Sequence, residues 1–232
     1  MALAAVLQTT TAELAQYRQE LARSGLLRTL ADAQARFAAT ADGTTVRGHP
    51  QVFGGTSLAS ATRLYAILRV LRPAVAVETG VCNGVSSAII LAALARNGAG
   101  TLHSVDLPEF SRGPAPAGLW DQKRGAVVPS GMEPGWAVPH ELRGPWELTL
   151  GRSQDVLVPL LERLGSLQFF YHDSEHSYDC MSFEYAAALE HLEPGGVLAS
   201  DDATWTPAFA ELASTAQRDV IAFGDGAALI RW

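Results

Sequence analysis

Ala74-Val75-Ala76-Val77-Glu78-Thr79-Gly80-Val81-Cys82-Asn83-Gly84-Val85-Ser86 is the stretch whose reading decides the fold. A short apolar run closed by an acid and a glycine reads as a strand buried on both faces of a parallel sheet. The glycine-punctuated turn then feeds a helix expected over Ser86–Arg96, which Asn97-Gly98 ends. Thr101–Val105 reads as a second strand, closed by Asp106. Strand, helix and strand in one short span make a βαβ unit, which requires a parallel sheet.

Working outward, the same rhythm returns downstream. Strands are expected at Glu147–Leu150, Leu167–Tyr171 and Gly196–Ala199, with helices at Val156–Leu164, Met181–His191 and Pro207–Ala216. Val220–Phe223 and Ala227–Trp232, joined through Gly224-Asp225-Gly226, read as a closing hairpin. The expectation is an α/β fold: a doubly wound, seven-stranded, mostly parallel Rossmann-like sheet with a C-terminal antiparallel hairpin. Leu107–Trp146 interrupts the rhythm with prolines, glycines and the tryptophans Trp120, Trp136 and Trp146, and reads as an ordered lid over a substrate pocket.

Upstream, Leu58–Leu71 is helical and stops at Pro73. Leu14, Tyr17 and Leu21 form one apolar stripe, and Leu26, Leu30, Ala33 and Phe37 another, with Gly25 between. The chain therefore divides into an N-terminal helical appendage and connector, 1–57, and a main domain, 58–232, with 107–146 inserted. An apolar appendage outside the core suggests a homodimer or higher homo-oligomer.

The chain has 232 residues, and Asp plus Glu exceed Lys plus Arg by 24 to 17. That balance argues against gripping nucleic acid through its phosphates. No apolar run approaches the ~20 residues needed to span a bilayer. Met1–Gln8 lacks the basic start of a signal peptide, and Cys82 and Cys180 show no paired spacing. A cytoplasmic location is the expectation.

The chemistry gathers at strand ends. In the first turn, Cys82 stands where the dinucleotide fingerprint G-x-G-x-x-G has its middle glycine, so a pyrophosphate fits poorly. An acid at the strand end suits a ligand carrying an ammonium group. Asp106 sits where doubly wound folds bind ribose hydroxyls. Asp173 and His176, after one strand, and Asp201-Asp202, after the next, converge on the same edge. Three carboxylates there repel one another unless a cation or a proton intervenes, and hard oxygen donors in an open site suit Mg²⁺. His176 has three readings: general base, metal ligand, or rim residue, the first being favoured because a histidine accepts a proton near neutral pH. Glu184 and Glu190 read as solvated surface. Cys82 reads as a small packed hydrophobe.

These residues together carry a resemblance. The chain resembles the class I S-adenosylmethionine-dependent methyltransferases, and most of all the small-molecule O-methyltransferases of the macrolide-sugar (macrocin) and catechol types. The carrying residues are Glu78-Thr79-Gly80, Gly84-Val85-Ser86, Asp106, Gly151-Arg152-Ser153-Gln154-Asp155, Asp173-x-x-His176 and Gly195 to Asp202. The resemblance implies that Glu78, Gly80, Gly84 and Ser86 hold the methionine end of S-adenosyl-L-methionine. It further implies that Asp106 takes its ribose and that Ser153 and Gln154 lie by the adenine. Asp173, Asp201 and Asp202 fall at the positions of Mg²⁺ ligands. The catechol type has Asn where this chain has Asp202, and a lysine base where it has His176. The single lysine here, Lys123, lies in the long loop. The implied activity is O-methylation of a small-molecule hydroxyl, on a sugar or another natural-product intermediate. N-methylation, a non-methylating S-adenosylmethionine-binding protein and an NAD(P)-dependent oxidoreductase are the alternatives.

Overall fold

The computed structural model describes residues 2–40, 45–46, 49–54, 56–113 and 126–232. Trp120 and Lys123 of the long loop lie outside the described residues. In chain order the elements are α1 (Leu3–Val6), α2 (Thr11–Arg23), α3 (Leu26–Thr40), β1 (Thr45–Val46), β2 (His49–Pro50), α4 (Leu58–Leu71), β3 (Val75–Thr79) and α5 (Val85–Asn97). Next come β4 (Thr101–Asp106), a 3₁₀ turn at His140–Leu142, β5 (Trp146–Leu150), α6 (Ser153–Leu164), β6 (Leu167–His172) and α7 (Tyr178–Leu189). The chain closes with β7 (Leu192–Ser200), α8 (Ala208–Thr215), β8 (Ile221–Ala222) and β9 (Ala228–Arg231).

The main sheet has seven strands in the order β5-β4-β3-β6-β7-β9-β8. β3, β4, β5, β6 and β7 run parallel, and β9 is antiparallel to both β7 and β8. This is the expected doubly wound sheet with its C-terminal antiparallel pair. The chain winds outward from β3 through β4 to β5, then crosses back to β6 on the other side of β3. That reversal opens a crevice at the carboxyl ends of β3 and β6.

Alternation along the strands sends neighbouring side chains to opposite faces. Ala76, Phe169 and Val197 join the core under α4 and α5, whereas Val77, Phe170 and Leu198 join the core under α6, α7 and α8. The N-terminal stripe belongs to the first of these cores: Leu14, Leu21, Leu26, Leu30 and Phe37 are buried in it. Glu20 of α2 accepts hydrogen bonds from Tyr65 and Arg69 of α4, and Arg69 also donates to Asn97 Oδ1 at 2.8 Å. The appendage is thus tied to α4 of its own chain, and the stripe needs no second copy to cover it. Among the described residues no helix is long and apolar enough to cross a membrane.

Candidate active site

Main-chain hydrogen bonds knit the carboxyl ends of the central strands into one row. Gly80 N donates to Val105 O, Asp173 N to Thr79 O, and Asp201 N to His172 O, each at 2.8 Å. The approach of β3 to β6 leaves no room for a side chain at Gly80. A Cβ there would lie 2.0 Å from the Asp173 carbonyl oxygen, and its φ of +87° is one that residues with a side chain rarely adopt. Beyond this row lies a cavity of about 270 Å³, close to the lower bound of about 300 Å³ usual for small-molecule sites.

Seven of the sequence-predicted residues meet on its wall. Gly80 follows β3, Asp106 ends β4 and Ser153 starts α6; Asp173 and His176 follow β6, and Asp201 and Asp202 follow β7. Asp106 is oriented by the turn itself, since its Oδ1 accepts from Val81 N at 3.2 Å. The other four do not reach the wall. Glu78 is fully buried behind it, its Oε2 accepting from Ser87 Oγ at 2.6 Å and Ser104 Oγ at 2.8 Å. Gly84 starts α5 with φ +92°, and a Cβ there would meet Val138 and Gly135 rather than the cavity. Ser86 is buried in the first turn of α5, and Gln154 donates away, to Cys180 Sγ at 3.9 Å.

Electrostatically the cavity is strongly acidic. Asp106, Asp173, Glu175, Glu184, Asp201 and Asp202 line it, against one guanidinium, Arg152. Burial, reinforced by the charges of Asp201, Glu78, Asp202 and Asp106, pushes the Asp173 carboxyl well above the usual carboxylate range. Burial and then Asp202 raise Asp201 to about 6. Burial raises Glu78 to about 7, against hydrogen bonds from the nearby serines. The same effect acts in reverse on His176, whose pKa falls to about 3, mainly through burial and then through His172. The His176 ring is therefore neutral at pH 7. Its buried Nε2 has no hydrogen-bond partner, and its ring centroid is 5.3 Å from His172 and 6.1 Å from Trp205.

Three residues with no role in the sequence reading shape this site. Glu184 is not solvated surface but 0 % exposed, on the part of α7 that faces the cavity. Its Oε2 lies 2.6 Å from His172 Nδ1 and accepts from Thr79 Oγ1 at 2.5 Å; its Oε1 accepts from Ser174 Oγ at 2.9 Å. Burial alone would raise its pKa, but the pull of His172 and these hydrogen bonds hold it below the usual range. The available signal was a single acid inside the otherwise apolar run Phe183 to Leu189. Glu190, the other acid read as surface, is exposed.

Asn83 ties the turn to its cover. Its Nδ2 donates to Phe53 O at 2.6 Å and Val127 O at 2.8 Å, and Trp136 Nε1 donates to its Oδ1. Trp136 and Trp146 of the long loop pack into the core beneath the turn, and Trp146 Nε1 donates to Ser104 Oγ at 2.9 Å. Neither lines the cavity; among the described residues its tryptophan wall is Trp205.

The donor chemistry can be set against the two groups that the sequence resemblance implies. An acid-rich wall suits the cationic sulfonium and ammonium of S-adenosylmethionine, and the mutually repelling aspartates suit a hard divalent cation. As the side chains stand, no group of three or more His, Cys, Asp or Glu among the described residues is arranged to hold a metal ion.

Comparison with known proteins agrees with this architecture. No curated protein sequence matches the chain. A solved structure of the O-methyltransferase TomG from Streptomyces achromogenes, in complex with S-adenosylmethionine, is 16% identical with a TM-score of 0.58, over 90% of this chain and 88% of that one. A Podospora anserina methyltransferase bound to S-adenosylhomocysteine is 14% identical with a TM-score of 0.57, over 90% and 88% of the two chains. A Bacillus cereus O-methyltransferase, in complex with the same product, is 14% identical with a TM-score of 0.56, over 90% of each chain. At these identities the likeness is one of fold. The family model described as a methyltransferase domain matches residues 77–203, which begins inside β3, runs past the end of β7 and takes in the acids, Gly80, Ser153 and His176 of the cavity wall. With more than half of the chain inside that match, and its strand-edge acids in one cavity, the chain belongs to the methyltransferase-domain family.

Proposed function

We propose that this protein transfers a methyl group from S-adenosylmethionine to a hydroxyl oxygen of a small-molecule acceptor, with Mg²⁺ as its metal. The observation that carries the reading is that one acidic cavity is lined by two sets of residues, one from the ends of β3 and β4 and the start of α6, the other from the ends of β6 and β7. The set formed by Gly80, Asp106 and Ser153 is built from a glycine turn, a strand-end acid and a helix start, which suits an adenosyl ligand. The set formed by Asp173, His176, Asp201 and Asp202 is left to the acceptor and the metal.

Asp106 is held ready for ribose hydroxyls by the Val81 amide. Glu78, Gly84, Ser86 and Gln154 act from behind the wall by fixing the turn and the starts of α5 and α6. Asp173, Asp201 and Asp202 would hold the metal, which would offset their repulsion and favour loss of a hydroxyl proton. His176 takes that proton at Nε2. Burial keeps the ring neutral and so able to accept, yet makes it a weak base. Alignment of oxygen and methyl donor, rather than proton affinity, must then supply most of the acceleration. In this reading residues 58–232 are the catalytic unit, and Val52, Gly54, Leu107 and Ala126 bring the connector and the inserted loop to the cavity wall.

The experiment is methyl transfer from labelled S-adenosylmethionine to a panel of sugar and phenolic acceptors. EDTA should abolish turnover and added Mg²⁺ restore it. His176→Ala should lower turnover by about a hundredfold while calorimetry finds S-adenosylmethionine affinity within about twofold of wild type. Turnover indifferent to EDTA removes the metal, and unchanged turnover in the variant removes His176 as the base.

A further inference from the structure

The cavity does not end at its acidic wall. Trp205 is 43 % exposed and belongs both to that wall and to a second groove formed with Pro207, Phe209, Val220 and Ala228. None of the residues lining this groove is charged, whereas the cavity on the other side of Trp205 carries six carboxylates. The Thr206 hydroxyl at its edge is turned inward, 3.2 Å from Met181 Sδ. Val220 is 46 % exposed within the groove. Val52, across the cavity, is also one of the few exposed large apolar side chains among the described residues. A single exposed apolar residue is ordinary, but an uncharged groove that shares Trp205 with the acidic cavity marks a place where a ligand's apolar surface leaves water.

We propose that the acceptor is amphipathic. Its hydroxyl-bearing end enters the acidic cavity beside Asp173 and His176, and an apolar ring or short alkyl arm lies along Trp205 in the Pro207–Phe209–Val220 groove. Trp205 and Val220 are then specificity-determining residues: they select acceptors by the apolar arm and leave the cofactor-side residues untouched. This rests on reading the cavity as a methyl-transfer site.

The test uses the full chain and three probes in calorimetry: S-adenosylhomocysteine, then methyl β-glucoside and octyl β-glucoside, the last below its micelle concentration, on the S-adenosylhomocysteine-loaded protein. The two glucosides share a polar head and differ only in the arm. The octyl probe should bind at least tenfold more tightly than the methyl probe. Trp205→Ala and Val220→Asp should each weaken the octyl probe at least fivefold and keep S-adenosylhomocysteine affinity within twofold. Val220 is exposed, so its variant stands if the tryptophan variant misfolds. Equal affinity for the two glucosides overturns the proposal, as does a preference that both variants leave intact, since that is detergent adhesion elsewhere. A dimer in sedimentation that Val220→Asp dissociates without changing the preference assigns the groove to a second copy and overturns it too. Absence of S-adenosylhomocysteine binding removes the methyl-transfer reading and the acceptor assignment with it, an outcome distinct from a missing arm preference.

Discussion

Replacing Glu78 with Gln tests whether the acid behind the glycine turn after β3 is held at an energetic cost. Glu78 is 0 % exposed, and its Oε2 accepts from the hydroxyls of Ser87 and Ser104. Burial raises its pKa from 4.5 to about 7, and the charge of Asp106 adds to the rise. The folded state thus binds a proton more tightly than the unfolded chain does. Stability from this group is intact below about pH 4.5 and is lost as pH rises toward 7. By linkage the loss is about 1 kcal/mol at pH 5 and levels off near about 3 kcal/mol by pH 8. A glutamine of the same shape carries no charge and escapes the term, although its amide brings a fixed cost of its own. Urea unfolding of both ligand-free proteins at pH 5 and pH 8 separates the two contributions, because the fixed cost cancels in the difference. Glu78→Gln should gain about 2 kcal/mol relative to wild type between the two pH values. A stability difference that does not change with pH would refute the burial argument. It would mean that the carboxylate keeps its ordinary pKa and that the serines solvate it fully.

Asn83→Ala removes the side chain that joins the glycine turn after β3 to Phe53, Val127 and Trp136. Three buried hydrogen bonds at about 1 kcal/mol each give an expected loss of about 3 kcal/mol in urea unfolding, and a loss below about 1 kcal/mol would show that the latch carries little. Glu184→Gln breaks the pairing with His172 inside a fully buried network. It should cost about 2 kcal/mol, because the amide offers one acceptor oxygen where the carboxylate offers two, so the hydroxyl of Thr79 or of Ser174 loses its acceptor; wild-type stability would show that Gln satisfies the same donors.

The alternation of strand and helix was readable because it is local. Burial on both faces writes continuous apolar runs such as Ala74–Val77 into a central strand, and glycine and proline punctuate the ends. α1, only four residues long, left no periodicity to read. β7 begins four residues before the expected Gly196, since Leu192 pairs with Leu167 across the sheet, a partner that no local pattern announces. The acids at strand ends were also legible. Once a parallel sheet is assumed, topology alone brings Asp106, Asp173 and Asp201 to one edge.

The linear chain by itself determined the seven-stranded class, the direction of its strands and the edge on which chemistry collects, all of which follow from short-range pattern and chain connectivity. Only the tertiary structure decided which residues face the cavity and which stand behind it. It turned Glu78 into the core and put Trp205 on the wall. It placed Glu184 in a buried network with His172 and gave Asn83 partners 30, 44 and 53 residues away. The physical reason is that hydrogen-bond satisfaction and desolvation are settled by whatever packs against a side chain, and those neighbours come from distant parts of the chain.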